Sequence, residues 1–448
     1  EQKFWSKTEK GVIKLIHISF KKFLEDNGFY KFNPEGSKSY VFVKVTNNLI
    51  DHTSEKEIKD FVLTFLLDVE DISVYNYFAE NVKYFREEFL TLLGSIIPID
   101  YLDLGGYVWR DHVIDRVFDI CDVTDCDYET FIANVSGGTE KRIRSMHSTI
   151  GYMLHGWKNL SYSPAIILND ELISDNPEGG TGKGLFMNGL SHMKKLVVID
   201  GKSFNFERSF AYQLVSADTQ ILCFDDVKRH FDFERLFSVV TEGLTLEKKN
   251  KDAIKIPFAK SPKIAITTNY AITGQGSSFE RRKWELELTQ YYTKEYTPLV
   301  EFGKLMFGEW DDNEWCQFDN FMIKCVQLYF DKGLLKSDFV NLKTRKFSAS
   351  TCHEFVEWCG EIGGQSNPKL IMKSRIYKND LYLDFIEENP DFAPKSKMTI
   401  SRNRFNKWLQ SYSEFKFECK ALEGRDMIGR WVEFVNKSYY EGKILMES

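Results

Sequence analysis

Few prolines interrupt this chain. There are 10 in 448 residues, with no Pro- or Ser-rich linker, no internal repeat and no low-complexity run. That excludes repeat arrays and modules strung on disordered tethers. Long apolar runs are lacking too. FVLTFLLDVE and EEFLTLLGSIIPIDYL are both cut short by charge or proline, well below the ~18 unbroken apolar residues of a membrane helix. No secretory signal opens the chain. Positive charge is not in excess: Lys+Arg 59 stands against Asp+Glu 66, a formal net charge of −7. A protein that coats nucleic acid by bulk charge is thereby excluded, while a local basic patch is not. Cysteine is modest, at eight residues. Neither Cys121 with Cys126 nor Cys352 with Cys359 makes a C-x-x-C pair, and no histidine falls at ligand spacing beside them. They read as reduced thiols packed as small hydrophobes, with no zinc site and no disulfide framework.

What remains is an ordinary globular mixture, 43% hydrophobic and 28% charged, long enough for about three domains of roughly 150 residues. The chain begins with Glu1 rather than Met, which leads us to expect a fragment of a longer polypeptide, with a partner domain before it. Residues 1–95 read as mixed α/β. HISFKKFLEDNGFYKF is helical up to an Asn-Gly. SYVFVKVTNNLID alternates as strands around Asn-Asn, and Ser54 and Glu57 have capping-box spacing before IKDFVLTFLL. Residues 96–158 read as a helical piece, with apolar spacing at Ile143, Met146, Ile150 and Met153. From 159 to 300, short β-branched runs alternate with helical patterns, as in a parallel sheet with crossover helices. Residues 301–345 read as a helical connector, and 346–448 as helices followed by a hairpin.

Four elements in the central stretch carry chemistry. The run from Asn176 to Phe186, NPEGGTGKGLF, follows the strand-like AIILND and opens a helical pattern. A glycine-rich turn between strand and helix points backbone N–H groups at a phosphate, and Lys183 supplies a point charge. Against the pattern G-x-x-x-x-G-K-[ST], Gly182 and Lys183 match. Pro177 replaces the first glycine, and Gly184 the hydroxyl that usually meets Mg²⁺. Thr181 substitutes only if the loop turns it inward. The bland alternative is a glycine-rich surface turn with a chance lysine. The second element is a strand ending in Asp225-Asp226, where one carboxylate suits a metal shell and the next polarises the attacking water. We assign these roles to Asp225 and Asp226 in turn. The third is KIAITTN, a buried strand ending in Asn269, suited to the γ-phosphate or the attacking water. The fourth is Arg281-Arg282 at a strand entrance, where a guanidinium offered to a neighbouring subunit stabilises transition-state charge.

Strand, GGTGKG loop, Asp-Asp strand, Asn strand and Arg-Arg, in that order, resemble superfamily 3 helicases of the viral and phage primase–helicase type, which are AAA+ ring motors. The resemblance covers about 140–300 and includes GTEKRIRSMHSTIGYMLHGWKN, similar to the helix preceding the motor. It implies an α/β fold: an AAA+ P-loop NTPase core with a parallel sheet, behind α/β and helical collar pieces and before a winged-helix-like domain. It implies ATP and Mg²⁺ as cofactors. The nucleotide loop would be Gly179, Gly180, Thr181, Gly182, Lys183, Gly184 and Leu185, with metal ligands Asp225 and Thr181, sensor Asn269, and finger Arg281 or Arg282. The implied partners are single-stranded DNA, further copies in a ring of six, and a linked primase or polymerase; the implied setting is the host cytoplasm, without a membrane. Between the Asp and Asn strands, LTLEKKNKDAIKIPFAK reads as a β-hairpin with Lys248, Lys249 and Lys251 near its tip. In the resembled family a hairpin here enters the ring's channel and holds DNA phosphates.

Near the C-terminus, a helix stopping at Pro390 precedes a basic helix with Arg402, Arg404 and Lys407, capped by Ser401 or Thr399; two strands follow. That order suits a winged helix, either contacting DNA through the basic helix or serving as a packing module. Together these features lead us to expect an ATP-dependent replicative DNA helicase module. Its rivals are a P-loop kinase, an origin-binding protein with a degenerate site, and an RNA-directed ATPase without processive unwinding.

Overall fold

Alternating side chains build the first sheet. Phe29–Phe32, Val41–Thr46 and Leu49–His52 form an antiparallel meander, and short strands Thr91–Leu92 and Val108–Trp109 add in parallel at its two edges. The computed structural model describes residues 3–34, 37, 39–93, 106–171, 180–208, 210–228, 231–247, 253–270, 272, 277–340, 342–361, 367–396 and 398–441. The Asn-Asn turn has φ 49° at Asn47 and 64° at Asn48, the left-handed pair that matches strand twist in a two-residue hairpin. Helix His17–Asp26 ends just before Gly28, where a Cβ would lie 2.2 Å from the Val45 carbonyl oxygen. Ser54 Oγ accepts from the Glu57 N–H at 3.3 Å and donates to Glu57 Oε2 at 2.9 Å, starting helix Glu55–Leu67. The helices bury Phe4, Phe20, Phe23 and Phe78 beneath the sheet. Of the stretch read as helical from 96 to 158, 96–105 lies outside the described residues, Asp127–Val135 and Glu140–Leu154 are helices, and the part between 106 and 126 holds only a short strand and one 3-10 turn. Trp109 stacks on His52 at 4.5 Å and takes its strand into the first sheet, and 113–125 runs on as an irregular strap.

The second sheet has five strands: β1 (Ala165–Asp170), β2 (Leu196–Asp200), β3 (Ile221–Val227), β4 (Lys263–Thr268) and β5 (Lys283–Leu288). Their order is β5-β1-β4-β3-β2, and every pairing is parallel. β1 and β4 are buried along their whole length, as continuous apolar runs in a sheet covered on both faces should be. One face packs against helices α1 (Glu140–Leu154), α2 (Lys183–Ser191) and α4 (Asp312–Lys332). The other is covered by an apolar cluster that includes Phe279 of the short helix α3 (Ser277–Arg281). The hairpin Gly243–Leu246/Ile254–Pro257 adds Leu244, Leu246, Ile254 and Ile256 to that cluster. The helix after the sheet therefore packs back on the helix before it, as part of the sheet's own core.

A third core gathers Phe355, Phe385, Phe405 and Trp408. Around it lie strand Arg375–Tyr377, helix Lys378–Glu388, helix α5 (Arg402–Phe417) and the hairpin Leu422–Arg425/Arg430–Glu433; strand 430–433 is central. Ser401, not Thr399, caps α5, its Oγ accepting from the Arg404 N–H at 3.2 Å. Among the described residues, no helix is long and apolar enough to cross a membrane.

The α1–α4 contact sets a steric limit. A Cβ on Gly151 would lie 2.0 Å from the Cys325 carbonyl oxygen, which is helix backbone. Gly151→Ala should destabilise the chain by about 1–3 kcal/mol or more, read as a lower midpoint in thermal or urea unfolding. An unchanged midpoint would show that the two helices are not held this close.

Candidate functional site

A period of two along the strands brings the polar ends together. On β1, Ile166 and Leu168 face the α1/α2/α4 layer, so Asp170 ends on that face. On β3, Ile221 and Cys223 face it, followed by Asp225. On β4, Ala265 faces it, followed by Thr267 and then Asn269 just past the strand. These groups lie at the carboxyl ends of adjacent parallel strands, beneath the N-terminus of α2.

Gly182 caps α2 in the left-handed region at φ 96°. A Cβ there would also meet the Phe131 ring at 2.8 Å, so side chains are excluded twice over. At Gly180 and Gly184 a Cβ would meet nothing within 4 Å, which leaves open space around the turn. Lys183 begins the helix. Its Nζ donates to Asn269 Oδ1 at 2.5 Å and makes a short ion pair with Asp170 Oδ1; the side chains are only 12% and 7% exposed. Thr181, buried, donates its hydroxyl to the same Asp170 oxygen. Asp225 Oδ1 accepts from Thr267 Oγ1 at 2.6 Å. Beneath the loop, on the opposite face of β1, Asn169 is fully buried with neither amide atom hydrogen-bonded.

Several expected residues converge here, and others do not. Lys183 and Asn269 meet. Thr181 turns inward as the sequence reading required, but onto Asp170, and no described contact links it to Asp225. Among the described residues, no three His, Cys, Asp or Glu side chains converge on a metal position. Asp226 follows a register shift in the β3–β4 pairing, has φ 52°, and pairs with Lys202 at the sheet's open margin. Asp170 was missed. Its only signal was a strand-terminal acid in AIILND, a feature that a solvated turn shows equally. Leu185 follows on α2, half-buried against the α1/α2/α4 core. Gly179, Lys248, Lys249 and Lys251 lie outside the described residues.

The paired arginines sit elsewhere. The Ala165 N–H donates to the Arg282 carbonyl oxygen at 2.8 Å, which puts both at the amino-terminal edge of the sheet. Six residues of β5 separate them from the Lys183 edge, about 20 Å at ~3.3 Å per residue. Neither reaches Lys183 of its own chain. Arg282 is spent within the chain: its guanidinium lies 4.6 Å over the Phe237 ring and donates to the Ser278 carbonyl at 2.9 Å. Arg281 is exposed. Arg402, Arg404 and Lys407 are exposed on α5, around a core separate from the sheet's.

No family model and no curated protein matches the chain. Among solved structures, two A-form apo structures of the NrS-1 C-terminal region are similar at TM-score 0.41. Sequence identity is 13% and 12%, covering 93% of this chain and 98% and 99% of theirs.

The Lys183–Asp170 pair is nearly dry, so removing one partner strands a charge. Asp170→Ala alone should cost about 3–5 kcal/mol of stability. Lys183→Ala/Asp170→Ala together should cost less than the sum of the single variants, a coupling of roughly 1–3 kcal/mol in a double-mutant cycle by urea unfolding. Strict additivity would show that the pair does not form.

Proposed function

We propose that this chain is the ATP-hydrolysing motor of a superfamily 3, AAA+ type replication helicase, working as a ring on single-stranded DNA. One observation carries the reading. A cationic Lys183 behind a left-handed glycine sits at a helix N-terminus, on the same sheet face as Asp225, Thr267 and Asn269.

That arrangement suits a nucleoside triphosphate. The turn leaves space, the helix start offers N–H groups, and Lys183 supplies positive charge. On binding, Lys183 exchanges Asp170 for phosphate oxygens, while Asp170 keeps the Thr181 hydroxyl. Asn269, released from Lys183, turns its amide N–H₂ toward the γ-phosphate or the attacking water. Asp225, oriented by Thr267, would hold Mg²⁺, which needs only one or two protein carboxylates besides water and phosphate. When bound there, the metal would supply neutralisation of phosphate charge. Asp226 activates water only after leaving Lys202.

Arg281 suits a finger acting in trans, because its own site lies across the sheet. The antiparallel arms Gly243–Leu246 and Ile254–Pro257 fit the hairpin reading, in which Lys248, Lys249 and Lys251 would meet DNA phosphates. The helix–helix–hairpin order around α5 supports a winged helix, with Arg402, Arg404 and Lys407 exposed toward a backbone, Arg402 and Arg404 also lying over Tyr382 and Trp408. DNA as the track, the ring of six, the linked primase and the host-cell setting belong to this same proposal.

The test is ATP hydrolysis with and without single-stranded DNA, beside the oligomer mass. Lys183→Ala and Asp226→Asn should each lower turnover by about 10²–10³-fold. Gly184→Ser, whose side chain meets open space, should restore the usual hydroxyl and keep parental turnover. Parental hydrolysis by Lys183→Ala would remove the assignment.

Assembly has its own test. Arg281→Ala should lose about 10³-fold or more in turnover while still binding nucleotide, and Arg282→Ala should lose stability instead. Mixing Arg281→Ala with Asp226→Asn subunits should recover hydrolysis at interfaces that join an intact site to an intact finger. No recovery, with a monomeric mass, would rule out the ring.

A further inference from the structure

Two thiols distant in sequence meet on the surface of α4. Cys121 belongs to the strap 113–125, and Cys316 lies near the start of α4. Their sulfur atoms are 2.6 Å apart, within about 0.6 Å of a disulfide bond of ~2.05 Å. Both are half-buried, as is Cys352, whereas Cys126, Cys223, Cys325, Cys359 and Cys419 are buried; burial pushes the Cys352 thiol up to about 12, and it lies on the separate third core. The approach does not hang on one rotamer, because both backbones are anchored nearby. Arg116 pairs with Asp319 at 2.5 Å, and Asn320 Nδ2 donates to the Asp119 carbonyl at 2.8 Å. Gln317 Oε1 accepts from the N–H groups of Thr124 and Asp125 at 3.1 and 2.9 Å. Asn320 Nδ2 also faces the two sulfurs, at 3.4 and 3.6 Å.

We propose that Cys121 and Cys316 are a reversible dithiol–disulfide site that, when oxidised by a small disulfide such as oxidised glutathione, ties the strap to α4. Cys316 donates its S–H to the Cys121 sulfur. That bond first, then burial and the nearby Asp119 and Asp319, pushes the Cys316 thiol up to about 11. Cys121, the acceptor in that contact, attacks the small disulfide first. It displaces one glutathione thiolate and forms a mixed disulfide. Cys316 then attacks the Cys121 sulfur and expels the second glutathione. The dithiol gives up two electrons and two protons, and two reduced glutathiones carry them away. The strap joins the first sheet to the rest of the chain, so the bond would fix that connection. This inference is independent of the proposed ATPase activity.

The test uses the full chain, incubated with oxidised glutathione in mildly alkaline buffer, alkylated, and digested without reduction. A Cys121–Cys316 linked peptide should appear, with a loss of about 2 Da reversed by dithiothreitol. The closed loop spans 195 positions, so Tm should rise by several degrees. Cys316→Ser should abolish the linkage and leave glutathione on Cys121. Alkylation of both thiols, a stable glutathione adduct on the parent chain, or linkage of Cys121 to another cysteine would overturn the proposal.

Discussion

The ion pair between Lys183 and Asp170 is the constraint on which the site depends. A cation this far from water requires a counter-charge, and the carboxylate at the end of β1 supplies one. The bond fixes the start of α2 over the sheet, and the contact to Asn269 extends the hold to β4. One side chain thus joins the glycine turn to two neighbouring strands.

The parallel sheet then separates tasks by edge. Its carboxyl edge gathers Asp170, Asp225 and Asn269, and its amino edge carries Arg281. Because all five strands run the same way, no folding of a single chain brings these edges together. Within one chain, Arg281 and Lys183 therefore stay apart.

A second buried charge couples the first sheet to the second. Asp218 is almost wholly buried just before β3. It accepts from His52 Nε2 at 2.7 Å and from Lys195 Nζ at 2.6 Å, while Lys195 also meets Asp111 at 2.5 Å. Burial alone would raise its pKa, yet these hydrogen bonds hold the carboxyl well below the usual range. His112 Nε2 donates to the Asp218 carbonyl oxygen at 2.7 Å, and burial pushes the imidazole pKa down. Residues from both sheets thus share one carboxylate. Here the strap and first unit meet the amino edge of β2 and β3.

By itself the sequence determined what depends on near neighbours. Apolar runs set four of the parallel strands and alternation the fifth, Asn47-Asn48 set a hairpin turn, Ser54 and Glu57 set a helix start, and Gly182-Lys183 set the turn before α2. Each follows from periodicity or from a backbone preference over a few residues. Tertiary structure alone decided the rest. It placed Asp170 opposite Lys183, used Arg282 internally while leaving Arg281 exposed, turned Asp226 toward Lys202, and drew Val108–Trp109 into the first sheet. It also brought Cys121 to Cys316 across 195 positions. These pairings are invisible to local pattern because side chains far apart in sequence meet only after strand order and helix packing have closed the chain between them.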